Sequence, residues 1–148
     1  MRRAAFVYDD AMSHHELRHD HPMRPVRLRY THELLQAYGA FYHEGATLLS
    51  PRLATQEELE WLHTPEYIAA VQSLSQGFGA GDAGRFNFSI QGDNPYYPGM
   101  YDAAVLSSGA SLLAAEMVAT GAADAAFNIS GGLHHAAADH ASGFCVFN

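Results

Sequence analysis

Ala125-Ala126-Phe127-Asn128-Ile129-Ser130-Gly131-Gly132-Leu133-His134-His135 contains both a structural signal and a chemical one. The first five residues form a short apolar run, which reads as a buried strand, and Ser130-Gly131-Gly132 ends it in a turn. In open α/β sheets the ligand crevice lies beyond the carboxyl ends of the strands, and this turn delivers two adjacent histidines to that place. Two glycines let the backbone turn sharply and approach a ligand. Histidine titrates near neutral pH, so one ring can accept a proton from water while its neighbour donates one to a leaving group. Taken alone, His134-His135 leaves open a second reading, a pair of loop histidines bonded only to backbone.

Upstream of this stretch, strand and helix signals alternate. Ala4 to Tyr8 is an apolar run closed by Asp9-Asp10 and reads as a buried first strand. Val26, Tyr30, Leu34 and Tyr38 recur at four-residue spacing before Gly39, which predicts one amphipathic helix buried along that stripe. Thr47-Leu48-Leu49 suggests a second short strand. Thr55-Gln56-Glu57-Glu58 is a capping box that predicts a helix through Leu59 and Leu62. Thr64-Pro65 starts another, since proline suits the first helical position, with Ile68, Val71 and Leu74 inward as far as Gly77.

Gly77 to Gly99, rich in glycine with Asn94-Pro95 and Tyr97-Pro98, predicts a long loop of the kind that is functional or disordered. Tyr101 to Thr120 is alanine-rich, has Leu112, Leu113, Met117 and Val118 for burial, and ends at Gly121. Its small residues predict close helix packing. The alternation as a whole predicts an α/β fold with a mainly parallel sheet.

Composition narrows the function classes. Of 148 residues, 48% are hydrophobic and 16% charged, as in a globular domain with a real core. Eight basic against sixteen acidic side chains give 8 − 16 = −8, with no Lys/Arg block, so nucleic acid is not an expected partner. The acidic balance could favour a cationic substrate such as a lysine side chain or a polyamine, but plain solubility is the weightier reading. Cys145 is alone, which excludes an internal disulfide and fits a reducing compartment. Arg2-Arg3 precedes an apolar run that Asp9-Asp10 ends too early for export, and no other stretch is read as membrane-spanning. A cytoplasmic location is expected. Phe144-Cys145-Val146-Phe147-Asn148 stops in an apolar run, which reads as a domain cut short.

The longer string Gly131-Gly132-Leu133-His134-His135-Ala136, followed by Ala141-Ser142-Gly143-Phe144-Cys145-Val146-Phe147-Asn148, closely resembles the most recognisable segment of the histone deacetylase and acetoin-utilisation protein family. His21-Pro22-Met23-Arg24-Pro25-Val26-Arg27-Leu28 with the helix behind it, His63-Thr64-Pro65-Glu66-Tyr67-Ile68, and Arg85-Phe86-Asn87 with Gly92-Asp93-Asn94-Pro95 match the family in the same order. The resemblance covers nearly the whole chain. It implies a three-layer arginase/deacetylase-like α/β fold, of which residues 1–148 would be the N-terminal part of one domain.

The resemblance also implies roles. His134 and His135 would serve the proton transfers of amide hydrolysis, activating water and protonating the departing amine. Asp93 would be the rim aspartate that accepts hydrogen bonds from the substrate backbone, where a turn-forming Asp before Asn94-Pro95 is the bland alternative. Gly143 and Phe144 would wall the tunnel around an acyl-lysine stem, and Arg27 would stand at an internal channel for acetate. A core phenylalanine and a surface arginine would look the same in sequence. The family's zinc is held by two aspartates and a histidine on segments expected beyond Asn148, so no metal ligand is assigned here. The chain alone is therefore expected to be inactive and, with a sheet edge left open, prone to aggregate.

His14, His15, His19 and His21 could be drawn as a metal site, but the resemblance makes His21-Pro22 structural. Cys145 reads as a small buried hydrophobe. The leading expectation is metal-dependent hydrolysis of an acetylated lysine peptide or small acetylated amine by the parent protein. A non-catalytic acyl-lysine-binding module, a degenerate fragment and a ureohydrolase-like metal enzyme are the competing readings.

Overall fold

A computed structural model describes residues 2–148. Three four-residue strands, β1 (Ala4–Val7), β2 (Ala46–Leu49) and β3 (Ala125–Asn128), pair in parallel in the order β2-β1-β3. Phe6 sits opposite Leu48 on one side and Phe127 on the other. Parallel neighbours need crossover connections long enough for helices, and the chain supplies them as α1 (Val26–Ala37), α2 (Gln56–Glu60), α3 (Pro65–Ser75) and α4 (Met100–Ala119). This is the expected α/β class with a parallel sheet.

Local chemistry explains the helix starts. The Thr55 hydroxyl accepts from the Glu58 amide while the Glu58 carboxylate accepts from the Thr55 amide, so the capping box forms as expected. Thr64 caps α3 from the Tyr67 amide with Pro65 in the first turn. Arg52 grips Glu58 with two nitrogens, at 2.8 and 2.6 Å, and also reaches Glu116 on α4. Those hydrogen bonds hold the Glu58 carboxyl down at about 2.

Two apolar clusters carry the packing. Val7, Tyr8, Met12, Leu28 and Ala110 meet where α4 and α1 approach the sheet. Tyr67, Val71, Phe86, Met100 and Phe147 form the second, between α3, α4 and the segments around them. Full burial of a large apolar side chain contributes roughly 1.5–3 kcal/mol. These clusters therefore outweigh the surface ion pairs, which are worth about 0–1 kcal/mol each.

Several expectations need correction. Helix α1 exists, but its stripe Tyr30, Leu34, Tyr38 points to solvent, Tyr38 being 79% exposed. The inward face is Leu28, His32 and Leu35, with His32 stacked on Tyr8 at 4.3 Å. Four-residue spacing identified a helix but not which stripe finds a partner. Helix α2 ends at Glu60, and Leu62 lies beyond it, 51% exposed.

The loop from Gly77 to Gly99 contains a 3-10 turn over Ala80–Phe86 that buries Ala83 and Phe86. Strand β3 pairs only with β1 among the described residues, and Phe127 is 57% exposed, so it is not the buried strand its apolar run suggested. In α4 the buried residues are Met100, Ala104, Val105, Gly109 and Ala110, while Val118 is exposed. That helix is also long and apolar enough to span a membrane by length and composition, contrary to the sequence expectation. Its packing against β1, β3 and α3 accounts for its small apolar residues.

Candidate active site

The exit of β3 is fastened to α4. The Asn128 side chain donates to the Ser107 carbonyl at 3.1 Å and the Ser111 hydroxyl at 2.9 Å, while its oxygen accepts from the Ser130 amide and hydroxyl. A Cβ at Gly131 would stand 2.9 Å from the Ser111 hydroxyl, so glycine permits this close approach. The chain then turns through Gly132 at φ +80° and presents His134 and His135.

The two imidazoles lie with ring centroids 4.1 Å apart, tilted by 38°, and both residues are exposed. His134 Nδ1 is 2.8 Å from the Gly132 carbonyl oxygen, which can only accept. In the neutral ring the proton therefore sits on Nδ1, and Nε2 keeps a lone pair for a proton from solvent or substrate.

Gly143 and Phe144 form the tip of a two-residue hairpin between Ser142 and Cys145, closed by amide-to-carbonyl bonds of 2.8 and 3.2 Å. Both central residues have positive φ, +52° and +70°, as a type I′ turn requires. That conformation is unusual for phenylalanine, and it is held from outside: Asn94 accepts the Phe144 amide at 2.9 Å, and Asn87 donates to the Ala141 carbonyl at 2.8 Å.

Gly143 seats His135, since a Cβ there would lie 2.7 Å from the imidazole Cγ. Gly143→Ala is expected to push the His135 ring aside and add roughly 1–3 kcal/mol of backbone strain. The His135 imidazole resonances should then shift in ¹⁵N–¹H spectra, while circular dichroism still shows the fold.

Phe144 and Arg27, separated in sequence, share a cavity of about 90 Å³ with Met12, Leu17, Met23 and Tyr97. That is room for a few waters or one small carboxylate. Burial pushes the Tyr97 phenol up to about 12, so it stays neutral at physiological pH. Asp93 lies beside this cavity with its side chain in solvent, and its backbone carbonyl accepts from His21 Nε2 at 3.2 Å. The structure thus brings His135 to Gly143, and Phe144 to Arg27. The His134 and His135 side chains stand outside the cavity, although Leu133 lines it.

Of the remaining histidines, His14 and His19 are exposed while His21 is buried, so the four of the first loop do not converge. His21 packs edge-on to Phe144 at 4.6 Å and accepts the Met23 amide at 3.1 Å. Cys145 is buried, as expected. Sequence reasoning gave His21 a structural place only, and assigned no role to His63, Asn87 or Asn94. The available signal was their place inside the short motifs that carry the family resemblance.

Burial holds the His63 imidazole below its usual value of 6.5, partly offset by hydrogen bonds to backbone at Ala137 and Ala138. The folded state therefore takes up this proton less readily than the unfolded state. The stability conferred by neutral His63 is complete above about pH 6.5 and is lost as pH falls below it. Urea titrations from about pH 8 to 5 should show a midpoint that drops below about 6.5, and less steeply in His63→Asn.

Fold and site together define an α/β protein that offers two imidazoles and an aromatic wall at the carboxyl end of a parallel sheet. The histone deacetylase domain matches residues 21–148, and the chain belongs to that family, with its arginase/deacetylase fold. Over the whole chain it is 36% identical to the acetoin utilization protein AcuC of Bacillus subtilis, of which it covers 38%. Over 99% of the chain it is 34% identical to type-1 histone deacetylase 1 of Dictyostelium discoideum and 32% identical to histone deacetylase RPD3 of Saccharomyces cerevisiae, covering 30% and 34% of them. The chain thus spans about a third of the length of these curated relatives. No group of three or more His, Cys, Asp or Glu among the described residues is arranged to hold a metal. These residues therefore do not fit the zinc that the resemblance implies, and their own chemistry is that of paired imidazoles beside a walled cavity.

Proposed function

We propose that the complete protein hydrolyses the amide of an acetylated amine, either acetyl-lysine in a peptide or a small acetylated amine, in the cytoplasm. The observation that carries this reading is the imidazole pair at 4.1 Å, with Gly143 packed against the His135 ring. One ring takes a proton from the attacking water and the other returns one to the departing amine, a contribution of about 10²–10⁴ to the rate. Phe144 offers an aromatic face to the methylene stem. Asp93, exposed at the rim, accepts from the backbone of a peptide substrate, and Arg27 holds the acetate product in the cavity. Zinc, for which the described residues supply no ligand set, would add Lewis-acid polarisation of the carbonyl if the complete protein binds it. A lone buried cysteine and the absence of any disulfide support the reducing compartment.

The test is to express the complete open reading frame and offer it an acetyl-lysine peptide and an acetylpolyamine. Acetate release from either supports the reading and identifies the substrate class. Binding of the peptide without turnover would replace it with a non-catalytic acyl-lysine module. Asp93→Ala should raise KM for the peptide roughly tenfold, the worth of one charge-assisted hydrogen bond, and leave KM for the small amine unchanged.

A further inference from the structure

His63 sits in the turn between α2 and α3 and is 3% exposed. Its ring bridges two segments distant in sequence. Nδ1 lies 3.0 Å from the Ala137 carbonyl oxygen and Nε2 lies 3.1 Å from the Asn148 backbone nitrogen. A carbonyl only accepts and an amide N–H only donates, so both bonds form together only when the imidazole is neutral with its proton on Nδ1.

The neighbouring Thr64 amide donates to the Ala138 carbonyl at 2.8 Å. Asn148 in turn clasps Ala136, accepting its amide at 3.1 Å and donating to its carbonyl at 2.8 Å. Residues 136 to 138, which directly follow His135, are thus held to the α2–α3 turn through His63 and Thr64, and to Asn148. Gly143 confines the ring of His135 from the other direction.

We propose that His63 is a positioning residue for the tandem histidines, fixing the backbone after His135 through its Nδ1–H bond to Ala137 and its Nε2 acceptance from Asn148. The alternative is that His63 only fills space against Tyr67 and Phe147, with ring centroids at 5.6 and 5.1 Å. The two roles separate because amide side chains can replace the polar contacts one at a time. An asparagine nitrogen can stand where Nδ1 stands and donate to Ala137, and a glutamine oxygen can stand near Nε2 and accept from Asn148. Phenylalanine keeps the shape and makes neither bond.

The proposal rests on the hydrolytic reading of His134 and His135, and the experiment keeps the two apart. In the complete protein, H63F is expected to lower kcat about 10–100-fold with KM within about twofold, since misplacing a catalytic group by about 1 Å can cost that much. H63N and H63Q should each recover part of the loss. Wild-type kcat in folded H63F, or no recovery by either amide, overturns the proposal. If H63F does not fold, the comparison of H63N and H63Q with wild type decides. Imidazole ¹⁵N–¹H spectra give a readout that needs no turnover: an Nδ1–H tautomer for His63 is expected, and an Nε2–H tautomer overturns it. Absence of acetate release by the wild type would count against the hydrolytic reading, while the spectra would still decide the His63 geometry.

Discussion

Gly109→Ala is expected to destabilise this chain by about 3 kcal/mol, more than removal of any of its surface ion pairs. The residue lies in the middle of α4, where it is buried. A Cβ there would fall 2.0 Å from the Arg52 carbonyl oxygen, 2.5 Å from the Ala54 nitrogen and 2.6 Å from the Leu53 carbonyl carbon. All three are backbone atoms, so no rotamer change relieves the overlap. The segment must move away, breaking the 3.1 Å bond from the Ala54 amide to the Val105 carbonyl and pulling Arg52 from Glu116. Alanine gains roughly 1 kcal/mol of helix propensity over glycine, which offsets only part of this. Gly81→Ala, with nothing within 4 Å of its Cβ, is the matched control and should be near neutral. Urea denaturation of both variants measures the difference, and a Gly109→Ala variant as stable as wild type would show that α4 does not pack so closely.

Loss of either site imidazole is expected to have the largest effect on turnover. His134→Ala and His135→Ala should each lower kcat/KM of the complete protein by about 10²–10⁴, and the double variant should fall little further, because groups acting in one proton-transfer sequence are not additive. The two need not respond alike to substrate. Where a ring's task is to protonate the departing amine, an acetylated aryl amine, whose leaving group needs less help, should recover much of the lost rate. Where its task is to take a proton from water, that substrate should recover none. The bond from His134 Nδ1 to Gly132 leaves Nε2 as a proton acceptor, which favours the second behaviour for His134. Equal recovery in both variants would contradict that division of labour.

Much of this structure was legible because it depends on local chemistry. The Thr55 capping box, the Thr64-Pro65 helix start and the strand at Ala125 need only neighbouring residues to be recognised. The alanine-rich α4 announced close packing, yet its partner, the backbone from Arg52 to Ala54, could not be named from sequence, since nothing local marks it. The Tyr30-Leu34-Tyr38 stripe misled for a related reason: periodicity shows that a helix has faces, and tertiary contacts choose among them. At the site, His134, His135, Gly143 and Phe144 were visible as a motif. The positive φ of Phe144, the seating of His135 on Gly143 and the bridging role of His63 arise from contacts across 8 to 85 positions in sequence, which no spacing reveals.

The measurement that bears most directly on this account follows the oxygen atom. The complete protein is given acetyl-lysine peptide in H₂¹⁸O, and the released acetate is weighed by mass spectrometry beside the His134→Ala and His135→Ala variants. Hydrolysis by water predicts one ¹⁸O in each acetate, one free amine per acetate, and loss of both products in the variants. Unlabelled acetate, transfer of the acetyl group to another acceptor, or undiminished turnover in both variants would contradict it.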